Sequence, residues 1–215
     1  MTSTTRLGAI VLCGGSSSRM GSSKAWLELG GETLLARAVR RLAGVAEPRV
    51  VVAALEQALP ELPADVVVVR DRAPGSGPLE GIRAGLAALA GRADAAFVTT
   101  TDAPFVAGAF AARLEALRVE AGALAVVPRV HGRLHPLSAV YAPSLLDDVE
   151  ARVAARTLRV SALAEHPRAI VVDADRLLDD AALRAADPEL RSLFNVNTPD
   201  AFAAAIAEHA AARDR

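Results

Sequence analysis

Short apolar runs recur along the chain and alternate with longer stretches in which apolar residues have helical spacing. Several of the short runs consist largely of β-branched residues without polar alternation, as in strands that are covered on both faces. Turn residues bound these runs. We therefore predict seven strands, over residues 8–13, 49–54, 66–70, 95–100, 123–128, 135–141 and 168–172.

The longer stretches predict five helices. Three of them end at a glycine, Gly44, Gly91 or Gly122, the residue that most easily adopts the left-handed conformation after a helix. A fourth begins at Pro199 behind Thr198, which is a favourable capping arrangement. The predicted helices cover residues 33–43, 79–90, 107–121, 143–155 and 199–212.

The alternation of strands and helices indicates an α/β fold with a mostly parallel central sheet. We expect one Rossmann-like, three-layer domain over residues 1–215, with flexible termini at 1–6 and 213–215. Residues 129–133 resemble a hairpin turn around Gly132. Residues 158–163 fit a helix or a strand, and the acidic, alanine-rich residues 173–193 have no clear period.

Composition narrows the functional classes. The 215 residues carry a formal net charge of −1, which provides no basic footprint for nucleic acid. The single cysteine, Cys13, excludes an intrachain disulfide, which fits a reducing compartment, so we expect a cytoplasmic protein. The role of Cys13 stays open, and it could equally be a small buried hydrophobic residue. The apolar run at 8–13 is too short to span a membrane.

A loop rich in glycine and serine follows the first predicted strand, from Leu12 to Lys24. Its glycines allow backbone amides to surround a phosphate, and the carboxyl end of a central strand is where open α/β sheets bind ligands. The spacing matches neither the Walker A motif nor the dinucleotide fingerprint. An ordinary turn with exposed serines is the alternative interpretation.

The complete loop, Leu-Cys-Gly-Gly-Ser-Ser-Ser-Arg-Met-Gly-Ser-Ser-Lys, resembles the signature of the molybdenum cofactor guanylyltransferases (MobA), which belong to the GT-A-type nucleotidyltransferases. That family transfers GMP from GTP to the terminal phosphate of molybdopterin and releases pyrophosphate. The resemblance implies that Arg19 and Lys24 neutralise the triphosphate. It also implies nucleotide contacts from the start of the loop, at Leu12, Cys13, Gly14 and Gly15.

Asp71 ends the third predicted strand, where a carboxylate is able to accept hydrogen bonds from N1–H and the amine of guanine. A solvated turn aspartate is the alternative. By resemblance, Asp71 and the Pro-Leu-x-Gly segment that ends at Gly81 line the guanine site. Residues 50–54 depart from the family, because many members have an asparagine after the second strand. Guanine specificity is therefore expected to depend more on Asp71 and on the loop backbone.

Asp102 follows the buried strand at 95–100 and precedes Pro104. A carboxylate that faces the glycine loop is able to hold Mg²⁺ while the metal bridges triphosphate oxygens, although such an aspartate often caps a helix instead. The segment resembles the family's Asp-x-Pro motif, whose aspartate binds the metal. Asp102 is therefore the predicted ligand for Mg²⁺.

Three further segments are expected on the acceptor side. His135 lies in a His-Pro segment that resembles the family's, and it either contacts an acceptor phosphate or caps a strand. Arg152, Arg156 and Arg159 have the spacing of one helical face, and by resemblance Arg156 meets molybdopterin, although a solvated face is the commoner explanation. Asn195 and Asn197 belong to an Asn-Val-Asn-Thr-Pro motif that the family places at the molybdopterin site.

The resemblance implies in-line attack by a molybdopterin phosphate oxygen on the α-phosphorus of GTP, which requires alignment and charge neutralisation but no protein nucleophile. It also implies contact with other proteins of molybdenum cofactor biosynthesis. The alternatives are a cytidylyltransferase of the same cofactor, a sugar-phosphate nucleotidyltransferase and a non-catalytic nucleotide-binding scaffold. Related cytidylyl enzymes tend to have Leu-Ala-Ala-Gly where this chain has Leu-Cys-Gly-Gly, which favours GTP.

Overall fold

The computed structural model describes residues 5–13, 24–71 and 77–213. The strands in this part of the chain are β1 (Leu7–Leu12), β2 (Glu28–Leu29), β3 (Glu32–Thr33), β4 (Arg49–Ala54), β5 (Val67–Asp71), β6 (Ala95–Thr100), β7 (Ala125–Val130), β8 (Arg133–Leu134), β9 (Ala139–Tyr141) and β10 (Ala169–Asp173). The α-helices are α1 (Leu34–Arg41), α2 (Gly77–Leu89), α3 (Gly108–Ala121), α4 (Leu146–Ala154), α5 (Ala174–Leu178), α6 (Ala181–Ala186) and α7 (Pro199–Arg213).

A mixed, mostly parallel sheet forms the centre of the molecule. Its strands follow the order β10-β7-β9-β6-β1-β4-β5, and β8 pairs with β7. Only β8 and β9 of this sheet pair antiparallel with their neighbours. The predicted α/β fold with a mostly parallel sheet is therefore confirmed.

Two apolar cores cover the two faces of the sheet. Successive residues of β1 alternate between them, because side chains of a strand point to opposite faces: Ala9 and Val11 join one core, and Ile10 and Leu12 join the other. Helices α1 and α3 pack on the first face, and α2 and α4 pack on the second. The result is the predicted arrangement of three layers.

Strand β1 lies at a point where the chain changes direction across the sheet. Its neighbours are β4 on one side and β6 on the other, both parallel to it. The connection to β4 passes through α1 on one face, and the connection that leads to β6 passes through α2 on the opposite face. Such a switch point opens a crevice at the carboxyl ends of the strands, where α/β sheets bind ligands.

Most predicted elements agree with the structure to within two residues, but 135–141 is not one strand. Its second half is β9, whereas the backbone N–H of His135 donates to Pro128 O at 2.8 Å and that of Ser138 donates to His135 O at 3.0 Å. Pro136 lacks an N–H for a strand ladder, so this segment forms a turn. The predicted hairpin at 129–133 is confirmed, with left-handed φ angles of 50° at His131 and 73° at Gly132.

The helix predicted over 143–155 begins differently from expectation. Residues Pro143–Leu145 form a 3₁₀ turn, and the α-helix starts only at Leu146. The two ambiguous stretches are also resolved. Val160–Glu165 is a 3₁₀ helix, and 173–193 contains α5, α6 and a 3₁₀ turn. None of the helices in the described residues combines the length and apolar character needed to cross a membrane.

Candidate active site

The carboxyl ends of β1, β4 and β6 define the predicted site. Beyond the ends of the strands, Cys13 N donates to Val52 O at 2.8 Å, and Thr101 N donates to Leu12 O at 3.1 Å. These bonds fix the point at which the chain leaves β1 to enter the loop. The predicted loop residues Gly14, Gly15 and Arg19 lie outside the described residues.

Lys24 marks the point where the described chain resumes, in a 3₁₀ turn over Lys24–Trp26. Its ammonium group donates to Asp102 Oδ2 at 3.1 Å and to Asn197 Oδ1 at 2.8 Å. The Lys24 and Asp102 side chains are about one fifth exposed, at 19% and 20%. The glycine-rich loop, the Asp-x-Pro motif and the Asn-Val-Asn motif thus converge on one ammonium group.

Asp102 follows β6 and is held from three directions. Its Oδ1 accepts the hydroxyl of Thr100, and its Oδ2 accepts from Lys24. Its backbone oxygen accepts from Val196 N at 2.7 Å, which joins it to the C-terminal part of the chain. Asp102 does not cap α3, since Ala107 precedes that helix and provides no side-chain cap. The alternative interpretation of Asp102 as a helix cap is therefore wrong.

The two predicted asparagines differ in environment. Asn197 is exposed and accepts from Lys24, whereas Asn195 is half-buried and its Oδ1 is buried without a hydrogen-bond partner. A buried amide oxygen without a partner is costly, and a ligand donor is one way to satisfy it. Thr198 caps α7 as predicted, because its hydroxyl accepts from Ala201 N at 3.1 Å.

Asp71 and Gly81 lie on the β5 side of the same edge. Asp71 is the last residue of β5, half-buried and paired in register with Ala54. Gly81 is buried in α2, where a Cβ atom would lie 2.9 Å from Leu12 Cδ2. Because real Cβ contacts are longer than this, Gly81 allows α2 to approach the end of β1 closely.

His135 lies beside the carboxyl edge, because β7 runs parallel to β6 through the antiparallel β9 between them. The imidazole is half-buried, and burial lowers its pKa, an effect to which the neighbouring charges of Arg133 and His131 add. A hydrogen bond to the backbone of Val130 opposes the shift. The lowered pKa favours the neutral imidazole near pH 7, and because its one N–H is engaged by the Val130 backbone, its other ring nitrogen is a hydrogen-bond acceptor.

The predicted common face of Arg152, Arg156 and Arg159 is wrong, because α4 ends at Ala154. Arg156 follows in an exposed turn with a left-handed φ of 56°. Arg159 pairs with Glu165 at 2.7 Å. The sequence spacing of these arginines is helical only if the helix continues past residue 155, and it does not.

Gln57 was missed by sequence reasoning. Its side-chain amide donates to Cys13 O at 2.9 Å and to Cys13 Sγ at 3.4 Å, while its oxygen accepts from Ala54 N at 3.2 Å. The amide thus joins the ends of β1 and β4 beside the loop. The available signal was its position as a polar residue three places after a buried strand.

Cys13 is buried in the core, and burial raises the pKa of its thiol to about 12. The thiol therefore stays protonated at neutral pH and is a poor nucleophile. The structure therefore favours the interpretation of the Cys13 side chain as a small buried hydrophobic residue.

Comparison with known proteins identifies the family. The profile of the family described as "MobA-like NTP transferase domain" matches residues 9–187. A probable molybdenum cofactor guanylyltransferase of Mycobacterium tuberculosis is 39% identical over 198 residues, which cover 91% of this chain and 90% of that protein. The molybdenum cofactor guanylyltransferase of Rhizobium meliloti is 36% identical over 201 residues, which cover 89% and 87%.

A solved structure gives the same result. The molybdopterin-guanine dinucleotide biosynthesis protein A of Archaeoglobus fulgidus superposes with a TM-score of 0.76 at 25% identity, and the match covers 95% of this chain and 99% of that one. Sequence profile, curated relatives and fold all agree with the resemblance seen in the motifs. The chain belongs to the MobA-like NTP transferase family.

Proposed function

We propose that this nucleotidyltransferase transfers GMP from GTP to the terminal phosphate of molybdopterin or its molybdenum-bound form, and releases pyrophosphate. The names of the curated relatives supply the substrates. The observation that carries the proposal for this chain is the convergence of Lys24, Asp102 and Asn197. It joins a residue of the proposed triphosphate loop, a carboxylate for a metal ion and a residue of the proposed acceptor site.

Lys24 has a chemistry that suits this position. It is the only lysine of the chain, and the other 23 of the 24 Lys and Arg residues are arginines. An ammonium group is a compact charge with three donors that are free to turn, whereas a guanidinium is a rigid planar fork. The freely turning donors of an ammonium group are able to follow phosphate oxygens as charge shifts between them during the reaction. We propose that Lys24 and Arg19 stabilise the charge that develops on the triphosphate.

The donor set at Asp102 fits Mg²⁺. Mg²⁺ in phosphoryl-transfer sites is commonly held by one or two carboxylates, by substrate phosphates and by water. Asp102 supplies one carboxylate, and a cation, the ammonium of Lys24, already lies against its Oδ2. The described residues contain no group of three or more His, Cys, Asp or Glu side chains suited to a metal ion. We therefore propose that Asp102 holds Mg²⁺ together with the triphosphate, and Mg²⁺ supplies charge neutralisation.

The reaction exchanges one phosphoanhydride bond for another. An oxygen of the acceptor phosphate forms a bond to the α-phosphorus, the bond to the β-bridging oxygen breaks, and pyrophosphate leaves with the electron pair. A phosphate oxygen is already ionised at neutral pH, so no general base is needed. The protein's task is to align the two substrates and neutralise charge.

The remaining proposed contacts divide between the two substrates. For GTP they are the backbone from Leu12 to Gly15, with Gly81 beside it, and the Asp71 carboxylate as the reader of guanine. For the acceptor they are His135, Arg156, Asn195 and Asn197. The acceptor ring nitrogen of the neutral His135 imidazole and the unpartnered oxygen of Asn195 support hydrogen bonds from N–H or O–H groups of a polar ligand.

We also propose that residues 1–215 form one functional domain that works in the cytoplasm. Other proteins of molybdenum cofactor biosynthesis supply its acceptor and receive its product.

Trp26 provides a direct binding test. It is the only tryptophan, two residues from Lys24, 49% exposed, and its indole N–H donates to Ala58 O at 3.1 Å. Titration of its fluorescence with GTP, CTP and ATP in Mg²⁺ should give saturable binding of GTP with a Kd at least about 10-fold below that of CTP, a difference of about 1.4 kcal/mol. Tighter binding of CTP would assign the protein to the cytidylyl alternative, and no response to any nucleotide would count against the proposal.

A further inference from the structure

Arg191 lies against two aromatic rings that belong to different parts of the site. Its guanidinium carbon is 4.2 Å from the centroid of Phe194 and 5.2 Å from that of Phe105, and the two rings are 5.8 Å apart. Phe105 lies three residues after Asp102, and Phe194 directly precedes Asn195. We call residues 101–107 the Asp102 segment and residues 194–198 the Asn segment. One guanidinium thus contacts both segments.

One hydrogen bond joins the two segments directly, and a second ties the Asp102 segment to Ser192, two residues before the Asn segment. Val196 N donates to Asp102 O at 2.7 Å, and Ala107 N donates to the buried Ser192 hydroxyl oxygen at 2.9 Å. The Ser192 hydroxyl in turn donates to Asp187 Oδ2 at 2.6 Å, and this carboxylate also accepts from the Ser192 backbone at 2.9 Å. The connection is therefore buried and hydrogen-bonded at one end, while the guanidinium and aromatic contacts lie at the other.

Helix α7 holds the guanidinium from the outside. Arg191 forms a two-point ion pair with Glu208, with the Nε bond at 3.0 Å. The same helix contacts α1 through His209 Nδ1 and Arg37, 3.4 Å apart, and it starts directly after the Asn segment. Charge-assisted two-point pairs of this kind fix the plane of the guanidinium. The plane of Arg191 is thereby set against both rings.

The geometry of Lys24 depends on this connection. One hydrogen bond of its ammonium goes to the Asp102 segment and the other to the Asn segment. A relative shift of about 1 Å between the segments breaks one of the two bonds, and misplacements of that size cost about 100-fold in rate. All of Arg191, Glu208 and the Asn segment lie beyond the residues 9–187 that match the family profile.

We propose that Arg191 is a positioning residue for the transfer reaction: it holds the Asp102 segment and the Asn segment at the separation that Lys24 spans. The inference depends on the proposed function. The planar guanidinium is required, because it contacts both rings and Glu208 together. A lysine keeps the charge but has no plane to lay against two rings.

The test compares Arg191→Lys and Arg191→Met with Arg176→Met. Arg176 is a matched control, because it pairs with Glu120 at 2.5 Å on the surface away from these segments. We expect kcat to fall about 10- to 100-fold in both Arg191 variants, with the KM for GTP within about 3-fold of the wild type. Arg176→Met keeps the wild-type kcat. A loss of thermal stability with unchanged kcat would indicate a merely structural role and overturn the proposal.

A double-mutant comparison shows whether Arg191 acts through the Asn segment. Asn197→Ala should lower kcat in the wild type but change it by less than about 2-fold in the Arg191→Met background, because residues that act as a unit are not additive. Full additivity of the two losses would contradict the coupling. If the wild type itself transfers no GMP, the proposed function fails, whereas transfer that Arg191→Met leaves intact overturns only the positioning role.

The single lysine gives a readout without substrates. Acetylation of Lys24, followed by mass spectrometry, should be about 3-fold or more faster in Arg191→Met than in the wild type, since loss of one hydrogen bond exposes the ammonium. Arg176→Met should react at the wild-type rate. Equal rates in all three proteins would show that Arg191 does not set the position of Lys24.

Discussion

Lys24 Nζ lies 3.1 Å from Asp102 Oδ2, although 78 residues separate them in the chain. The contact follows from the sheet, because β1 and β6 are parallel neighbours, so the segments that leave their carboxyl ends meet at one edge. An ammonium and a carboxylate held together here supply charges of both signs beside the glycine loop. Triphosphate and metal chemistry needs both.

Replacing Lys24 removes the only lysine ammonium group of the chain. Lys24→Met should lower the rate of GMP transfer by about 100- to 1,000-fold, as loss of one preorganised donor does in other active sites. Lys24→Arg should restore only part of the lost rate, because the planar guanidinium does not reproduce the paired hydrogen bonds to Asp102 and Asn197. Steady-state rates of pyrophosphate release measure this. Wild-type activity in Lys24→Met would refute the assigned role.

Asp102 and Asp94 form a natural pair for testing the metal. Asp94 lies at the amino end of β6, where its carboxylate accepts from Arg6 N at 2.8 Å, and Asp102 lies just beyond the carboxyl end. Asp102→Asn should raise the Mg²⁺ concentration for half-maximal activity by about 100-fold or more, since a neutral amide is a poor metal ligand.

The control, Asp94→Asn, should leave the Mg²⁺ dependence unchanged. Loss of the Lys24 ion pair should change the free energy of unfolding of Asp102→Asn by only about 1 kcal/mol, because the pair is partly exposed. Chemical denaturation separates this effect from metal binding. Identical Mg²⁺ curves for both variants would remove Asp102 from the metal site.

Gly81 and Gly85 are one turn apart in α2 and face different parts of β1. A Cβ at Gly81 would lie 2.9 Å from the terminal Leu12 Cδ2, whereas a Cβ at Gly85 would lie within 2.8 Å of three atoms of the stiff Ile10 side chain. Gly85→Ala should therefore destabilise the fold by about 1–3 kcal/mol, and Gly81→Ala by less.

Only Gly81→Ala should weaken nucleotide binding, because Leu12 borders the loop and Ile10 lies inside the sheet. Trp26 fluorescence titration with GTP measures this. Weaker binding in Gly85→Ala at a temperature where both variants are folded would contradict the distinction.

The lowered pKa of His135 predicts a dependence of stability on pH. The unfolded imidazole, with its ordinary pKa of 6.5, binds a proton more readily than the buried one. The contribution of the buried, neutral His135 to the free energy of unfolding is therefore fully present above that pKa and is lost as the pH falls below it. His135→Asn should flatten the decline in the free energy of unfolding between pH 7 and 5.

His131→Asn is the matched control, since His131 is exposed at the tip of the same hairpin. It should retain most of the decline, because burial is the main cause of the lowered His135 pKa and the His131 charge is a smaller one. Urea titrations at several pH values compare the three proteins, and an unchanged slope in His135→Asn would exclude this histidine as the source.

Local pattern predicted the strands because burial on both faces leaves short runs without polar alternation that are enriched in β-branched residues, as in 49–54 and 95–100. It failed at 135–141, where Pro136 and a local turn outweigh apolar character, and at Arg156, where the helix ends two residues earlier. The motifs singled out Lys24, Asp102 and Asn197, but the contact that joins all three through one ammonium group emerges only from the structure. Gln57 and Arg191 escaped prediction because each makes a decisive contact with a distant segment, Gln57 with Cys13 and Arg191 with Phe105, which no local spacing reveals.

The most direct test of the central claim is the mass of the product. The protein is incubated with Mg²⁺, molybdopterin and equimolar GTP and CTP, and the products are separated and weighed by mass spectrometry. The account predicts a guanine dinucleotide of molybdopterin with one pyrophosphate released per product, and almost no product with Lys24→Met. A cytosine dinucleotide, or no adduct with either nucleotide, would contradict it.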